Sequence, residues 1–146
     1  MKKLFYSFLL LSSATLFAQK STSTRFAVAD DIVGTVDMFS STNLKSYVQS
    51  SRTFKSAAEL PQNLKKFNAI AENGLVEYKL KPGLGALDRL PLSDLNAQYN
   101  LEKNTPVLID GYEFANTDMK VFGDLLINVQ VIDNKGSKAV AITTKK

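Results

Sequence analysis

Three carboxylates lie close together in the second half of the chain, Asp110, Glu113 and Asp118, and an adjacent pair, Asp30-Asp31, lies nearer its start. Loops rich in oxygen ligands are what a calcium ion requires, but the spacing does not match the regular ligand positions of a calcium loop. An aspartate followed by glycine, as in Asp110-Gly111, already has a structural reason to be there as a turn. Asp30-Asp31 reads in the same way, as a turn or cap pair. No metal site is assigned.

The chain contains no histidine and no cysteine. That removes the usual base near neutral pH, the thiol nucleophile, and the zinc, copper and haem ligand sets built on those side chains. Serine-lysine and two-carboxylate mechanisms need neither residue. No Ser-x-x-Lys occurs with supporting elements, however, and LKPGLG (Leu80 to Gly85) lacks the closing Gly-Lys-Ser/Thr of a phosphate-binding loop. The expectation is a protein that is not an enzyme and carries no cofactor.

Aromatic residues point instead to recognition. Tyr99, Tyr112 and Phe114 flank an apolar segment around Ile109, and aromatics with a polar edge are favoured at binding surfaces. Phe114 is expected in the core, and Tyr112 stands evenly between core and surface. The candidate binding surface is the turn formed by Asp110, Gly111, Tyr112, Glu113 and Phe114.

The elements that would position this turn follow a leader. Lys2 and Lys3 precede an apolar run from Leu4 to Leu11, and Ser12 to Leu16 leads to a small residue at Ala18. This is the layout of a cleavable export signal. The 15 residues from Leu4 to Ala18 fall short of the roughly 20 that a membrane helix needs. Residues 1–18 are therefore expected to be a signal peptide, 19–24 a flexible lead, and 25–146 a single α+β domain. Without cysteine, an exported domain of this size must hold together by packing alone.

Charge adds little. The full chain has 18 basic and 14 acidic residues, and loss of Lys2 and Lys3 leaves 16 against 14. No stripe of Lys and Arg interleaves with aromatics, so a nucleic-acid partner is not expected. Lys65-Lys66 and Lys145-Lys146 read as solvated charge. No later stretch is long and apolar enough to cross a bilayer as a helix.

Along the domain, Arg25 to Phe39 reads as one or two strands around Asp30-Asp31 or as a short helix from Asp30; the period does not decide. Within Ser40 to Ser56, a brief helix would bury Leu44, Tyr47 and Val48. Ser56 to Asn73 is helical, with Leu60, Leu64, Phe67 and Ile70 or Ala71 on one face, Pro61 in the first turn, and Asn73-Gly74 as the stop. Leu75 to Lys81 alternates as a half-buried strand that ends at Pro82-Gly83. Leu84 to Leu92 is a connector, and Ser93 caps a short helix through Tyr99 with Leu95 and Tyr99 buried. Val107 to Ile109 is a strand, and Asp110-Gly111 a turn that Tyr112 and Phe114 extend beyond. Asn116 to Gly123 is another connector. Leu125 to Ile132 and Ala139 to Thr144 form a hairpin across Asp133 to Gly136. The fold class is α+β: a small mixed or antiparallel sheet with two or three short helices, ending in a β-hairpin.

The segments TPVLIDGYEF, INVQVID and AVAITTKK, in that order, resemble the second half of the plug domain of TonB-dependent outer-membrane receptors. Val107 to Gly111 matches the first element of that pattern, Val129 to Ile132 its middle strand, and Ala139 to Lys145 its closing strand. NGLVEYKLKPG, from Asn73 to Gly83, is similar to the asparagine-glycine turn and lysine-rich strand of the same family. The alanine-rich helix and tyrosine-glycine pair that precede the family's closing strand are absent, with only Asp133 to Lys138 in their place, and the chain has no room for a β-barrel. The resemblance implies an accessory module that is periplasmic or associated with the outer membrane and contacts other proteins or a ligand, the expected partner being a protein of the cell envelope. The expected function is thus a non-catalytic extracytoplasmic binding or accessory module, exported to the periplasm, the outer membrane or the extracellular space. The alternatives are a secreted inhibitor using an exposed loop at KPGLG (Lys81 to Gly85), a structural protein, or a histidine-independent hydrolase.

Overall fold

The computed structural model describes residues 24–83 and 87–144. The expected signal peptide, most of the lead, the second half of KPGLG, and Lys145-Lys146 lie outside the described residues.

The segment that periodicity left open forms two strands, β1 (Phe26–Ala29) and β2 (Ile32–Thr35), paired antiparallel with Ala29 opposite Ile32. Asp30 and Asp31 both sit at positive φ, 52° and 65°. That geometry defines the two-residue turn whose twist matches a hairpin. All eight strand residues are buried. Phe26, Val28 and Val33 enter one core and Ala27, Ala29 and Ile32 another. Both faces are covered, so the strands show no alternation of apolar and polar residues.

Helix α1 (Val36–Ser40) follows at once, with the Thr35 hydroxyl accepting a hydrogen bond from Met38 N at 3.1 Å. It folds back over the hairpin and buries Phe39. A Cβ on Gly34 would lie 2.6 Å from Met38 Cε and 3.0 Å from Phe39 Cε2. A larger residue there would push the flexible end of Met38 aside and crowd the Phe39 ring.

Four more strands extend this sheet. β3 (Val48–Phe54) and β4 (Leu75–Leu80) lie beyond β1, and β5 (Arg89–Pro91) and β8 (Lys120–Phe122) beyond β2, giving the order β3-β4-β1-β2-β8-β5. β4 runs parallel to β1 and β8 parallel to β2. The brief helix expected before Ser56 is a correction: Leu44 is buried, but a single 3₁₀ turn (Lys45–Tyr47) leads into strand β3. Gln49 to Thr53 are exposed at the sheet edge, so the strand carries no apolar alternation to read. β5 and β8 replace parts of the two expected connectors. Each has three residues, too few to show a period.

The helical segment is 3₁₀ rather than α, in two pieces, Ala57–Glu59 and Gln62–Ile70. Leu64, Phe67 and Ile70 are buried while Lys65, Lys66, Asn68 and Ala69 are exposed. This strict repeat of three is the period of a 3₁₀ helix. Gly74, at φ 100°, reverses the chain into β4 where a Cβ would meet Phe54 O at 2.5 Å.

Helix α2 (Leu92–Gln98) buries Leu92, Leu95 and Asn96. Pro91, not Ser93, occupies the cap position, and Tyr99, expected on the buried face, falls just past the last turn and is 37% exposed. Asn96 Nδ2 donates to Lys103 O at 3.1 Å and Thr105 O at 2.7 Å, tying down the following loop. That loop feeds a second sheet of β6 (Val107–Ile109), β7 (Tyr112–Phe114), β9 (Asn128–Asn134) and β10 (Ser137–Thr143), in the order β7-β6-β10-β9. A 3₁₀ turn (Gly123–Leu125) joins β8 to it. β9 and β10 form the expected hairpin, but its first strand starts at Asn128 rather than Leu125, which lies in the 3₁₀ turn, and its own turn is only Lys135-Gly136, both at positive φ.

The architecture is mixed α and β, mostly strand, with two sheets where one was expected. One core holds Phe26, Val28 and Val33 of the first sheet, Leu64, Phe67 and Ile70 of the 3₁₀ helix, Leu92 and Leu95 of α2, and Val107, Ile109, Val140 and Ile142 of the second sheet.

Candidate functional site

The turn at Asp110 joins β6 to β7. Ile109 pairs with Tyr112, and Asp110 and Gly111 both have positive φ, 50° and 85°. Asp110 N donates to Ile142 O at 2.9 Å. Its Oδ1 accepts from Thr144 N at 2.9 Å, and its Oδ2 accepts from Arg25 Nη1 at 3.1 Å and from the Thr144 hydroxyl. The Arg25 and Asp110 side chains are 14% and 9% exposed. One carboxylate therefore fastens the entry to β1 and the end of β10 to the β6–β7 turn.

The two aromatic residues of the turn point inward. Tyr112 and Phe114 are buried, with ring centroids 5.1 Å and 5.6 Å from that of Phe26 in edge-to-face contact. Phe114 lies in the core as expected, and Tyr112 does too. Of the five candidate residues, Gly111 and Glu113 face outward, and Glu113 Oε2 is 3.3 Å from Lys135 Nζ. The structure thus uses most of the predicted site to join the two sheets.

The remaining carboxylates are dispersed. Asp118 N donates to Asn116 Oδ1 at 3.1 Å in a local turn, and Asp31 pairs with Lys66 at 3.1 Å. Asp30 and Asp31 flank two open concavities of about 400 and 370 Å³. Arg52, Lys79 and Glu77 line the first, and Lys66, Arg89, Lys120 and Asp118 line the second. Both signs are mixed in each.

The sheet edges differ sharply in how they are guarded. Exposed strand edges invite pairing with another chain, and proteins blunt them with shortness, charge, proline or a bulge. β5 has three residues including Arg89 and Pro91, and β7 has three with Glu113 at its centre. β3 carries Arg52 and a register shift between Val48 and Ser50. β9 is not short, and it has no proline, no register shift and no charge at its centre. It is seven residues long, NVQVIDN, and its only charge, Asp133, is near the turn, where Lys138 Nζ pairs with it at 2.9 Å. Of the three large apolar side chains exposed among the described residues, Val131 at 40% lies in this strand and Ile127 at 57% lies just before it. Leu125 to Ile132 contains no charge, glycine or proline. That signal was present in the sequence, but alternation alone does not tell an edge strand from an inner one.

The hairpin turn fixes which backbone groups of β9 are open. Asn134 and Ser137 close a two-residue turn, and hydrogen-bonded pairs then alternate along the ladder. Ile132, Gln130 and Asn128 bond to β10, so the N–H and C=O of Asp133, Val131 and Val129 point away from the sheet.

No protein-family model matches the chain, and no curated protein or solved structure does either. Among the described residues no helix is long and apolar enough to cross a membrane.

Proposed function

We propose that this protein is a non-catalytic extracytoplasmic binding or accessory module that recruits a protein of the cell envelope by accepting its strand on the edge of β9. The unguarded edge carries this reading: a row of outward backbone groups flanked by Val131 and Ile127, of the kind that strand addition uses. The leader supports export, and the likeness of TPVLIDGYEF, INVQVID and AVAITTKK to the receptor plug supports a place beside an outer-membrane protein. In this reading residues 25–146 act as one α+β domain, since both sheets contribute to one core.

The recruiting surface moves from the Asp110 turn to β9, because Tyr112 and Phe114 are core residues. The test is a pull-down from the native cell envelope with the protein and with Val131→Lys. Val131 is exposed, so the substitution should leave the fold intact while placing a charge in the strand seam. An envelope protein retained by the parent and lost with Val131→Lys supports the reading; equal retention by both overturns it.

A further inference from the structure

We infer that the β9 edge takes a second copy of this chain, pairing antiparallel with its own β9 about a two-fold axis at Val131. The inference rests on the reading of β9 as the recruiting edge and names an occupant for it, which an envelope partner's strand would have to displace.

In this register the open backbone groups of the strand match those of its own copy. Val131 faces its symmetry mate, Val129 faces Asp133, Gln130 faces Ile132 and Asn128 faces Asn134. The outward N–H and C=O of Val131, Val129 and Asp133 meet the same groups of the second copy. Hydrogen-bonded pairs in both hairpins continue across the seam without a bulge. Val131 and Val129 lie on the face of Val140 and Ile142, so pairing extends the apolar surface of the second sheet and covers the exposed part of Val131. The β-branched pair at the centre, Val131 opposite its mate, favours such a seam.

Charge does not oppose it. Each strand carries a single charge, Asp133, already paired with Lys138. The two copies of Asp133 lie four residues apart along the seam, about 14 Å at the rise of a strand. That exceeds the screening length of about 8 Å at physiological salt. The other edges would oppose self-pairing through Pro91, through Glu113 at the centre of a three-residue strand, or through the β3 bulge. A seam one strand long buries less than the roughly 1,200 Å² of a stable interface, so dimerisation should depend on concentration.

The absence of cysteine from the chain makes the register testable by single substitutions at exposed positions. Val131→Cys would place two thiols on facing residues about 5.5 Å apart at Cα, within disulfide range. Asn128→Cys would place them about 20 Å apart. The experiment uses the full chain, as its cell processes it, with sedimentation velocity over increasing concentration and mild oxidation of each variant.

A concentration-dependent dimer, with Val131→Cys cross-linking at least about tenfold faster than Asn128→Cys, supports the pairing. A monomer up to about millimolar concentration, or equal cross-linking of the two variants, overturns it. Failure of the recruiting function is read separately. A monomer whose envelope partner is still lost with Val131→Lys retains that function and overturns self-pairing. A cross-linked dimer whose envelope capture is unaffected by Val131→Lys supports self-pairing and overturns recruitment.

Discussion

Asp110 is held by three partners on two segments far from it in sequence, Arg25 and the backbone and hydroxyl of Thr144. Removing one member of a largely buried ion pair leaves the other charge without compensation, at a cost of about 3 kcal/mol or more. Asp110→Ala should lower the free energy of unfolding by about 3 kcal/mol, measured by urea denaturation, whereas Glu113→Ala at the exposed pair should change it by less than about 1 kcal/mol. Equal losses from the two would contradict the role assigned to Asp110. Tyr78 gives a residue-level response to pH. Burial against Phe39 raises its hydroxyl above the ordinary value of 10.0, with a hydrogen bond from Ser40 acting in the opposite direction. The folded state retains this proton more tightly than the unfolded chain, so the stability it contributes is full below pH 10.0 and is lost as pH rises above it. Tyr78→Phe should flatten the decline in stability above that pH, as followed by denaturant midpoints across an alkaline series.

At the scale of elements, the segment from Gln62 to Ile70 shows how far pattern reading reaches. Its apolar positions were identified, and they are the ones buried. Spacings of three and four fit an α-helix, but the three central residues, Leu64, Phe67 and Ile70, are each three apart, which suits the tighter winding. Packing against the sheet decides between the two. Phe67→Ala should destabilise the protein by roughly 3–5 kcal/mol, while Lys65→Ala on the exposed face should stay within about 0.5 kcal/mol; thermal melts of the two variants distinguish this face from any rotated one. The three two-residue turns, at Asp30-Asp31, Asp110-Gly111 and Lys135-Gly136, were legible in different degrees. Asp-Gly announces itself, whereas Asp-Asp reads equally as a helix cap and needed its flanking strands to decide it.

For the whole molecule, the contact between the sheets runs through Phe26, which meets Tyr112 and Phe114 edge to face. Because the 3₁₀ helix and α2 contribute to the same core, the two sheets should unfold together. Phe26→Ala should cost roughly 3–5 kcal/mol and leave a single transition, with near- and far-ultraviolet circular dichroism coincident in urea. Two separated transitions would mean that each sheet stands on its own.

The sequence by itself determined the strands at Leu75 and Val107, the final hairpin, and which residues of the 3₁₀ helix are buried. Each of these rests on local alternation, on a turn dipeptide or on a repeating apolar position, all of which lie within a few residues of one another. Tertiary structure alone decided the rest. β5 and β8 are too short to carry a period and exist because β2 offers an edge for β8 and β8 one for β5. Tyr112 became a core residue because Phe26, distant in sequence, closes over it. The candidate site moved to β9 for the same reason. Whether a strand is an edge depends on what lies beside it, and no residue within the strand encodes that neighbour.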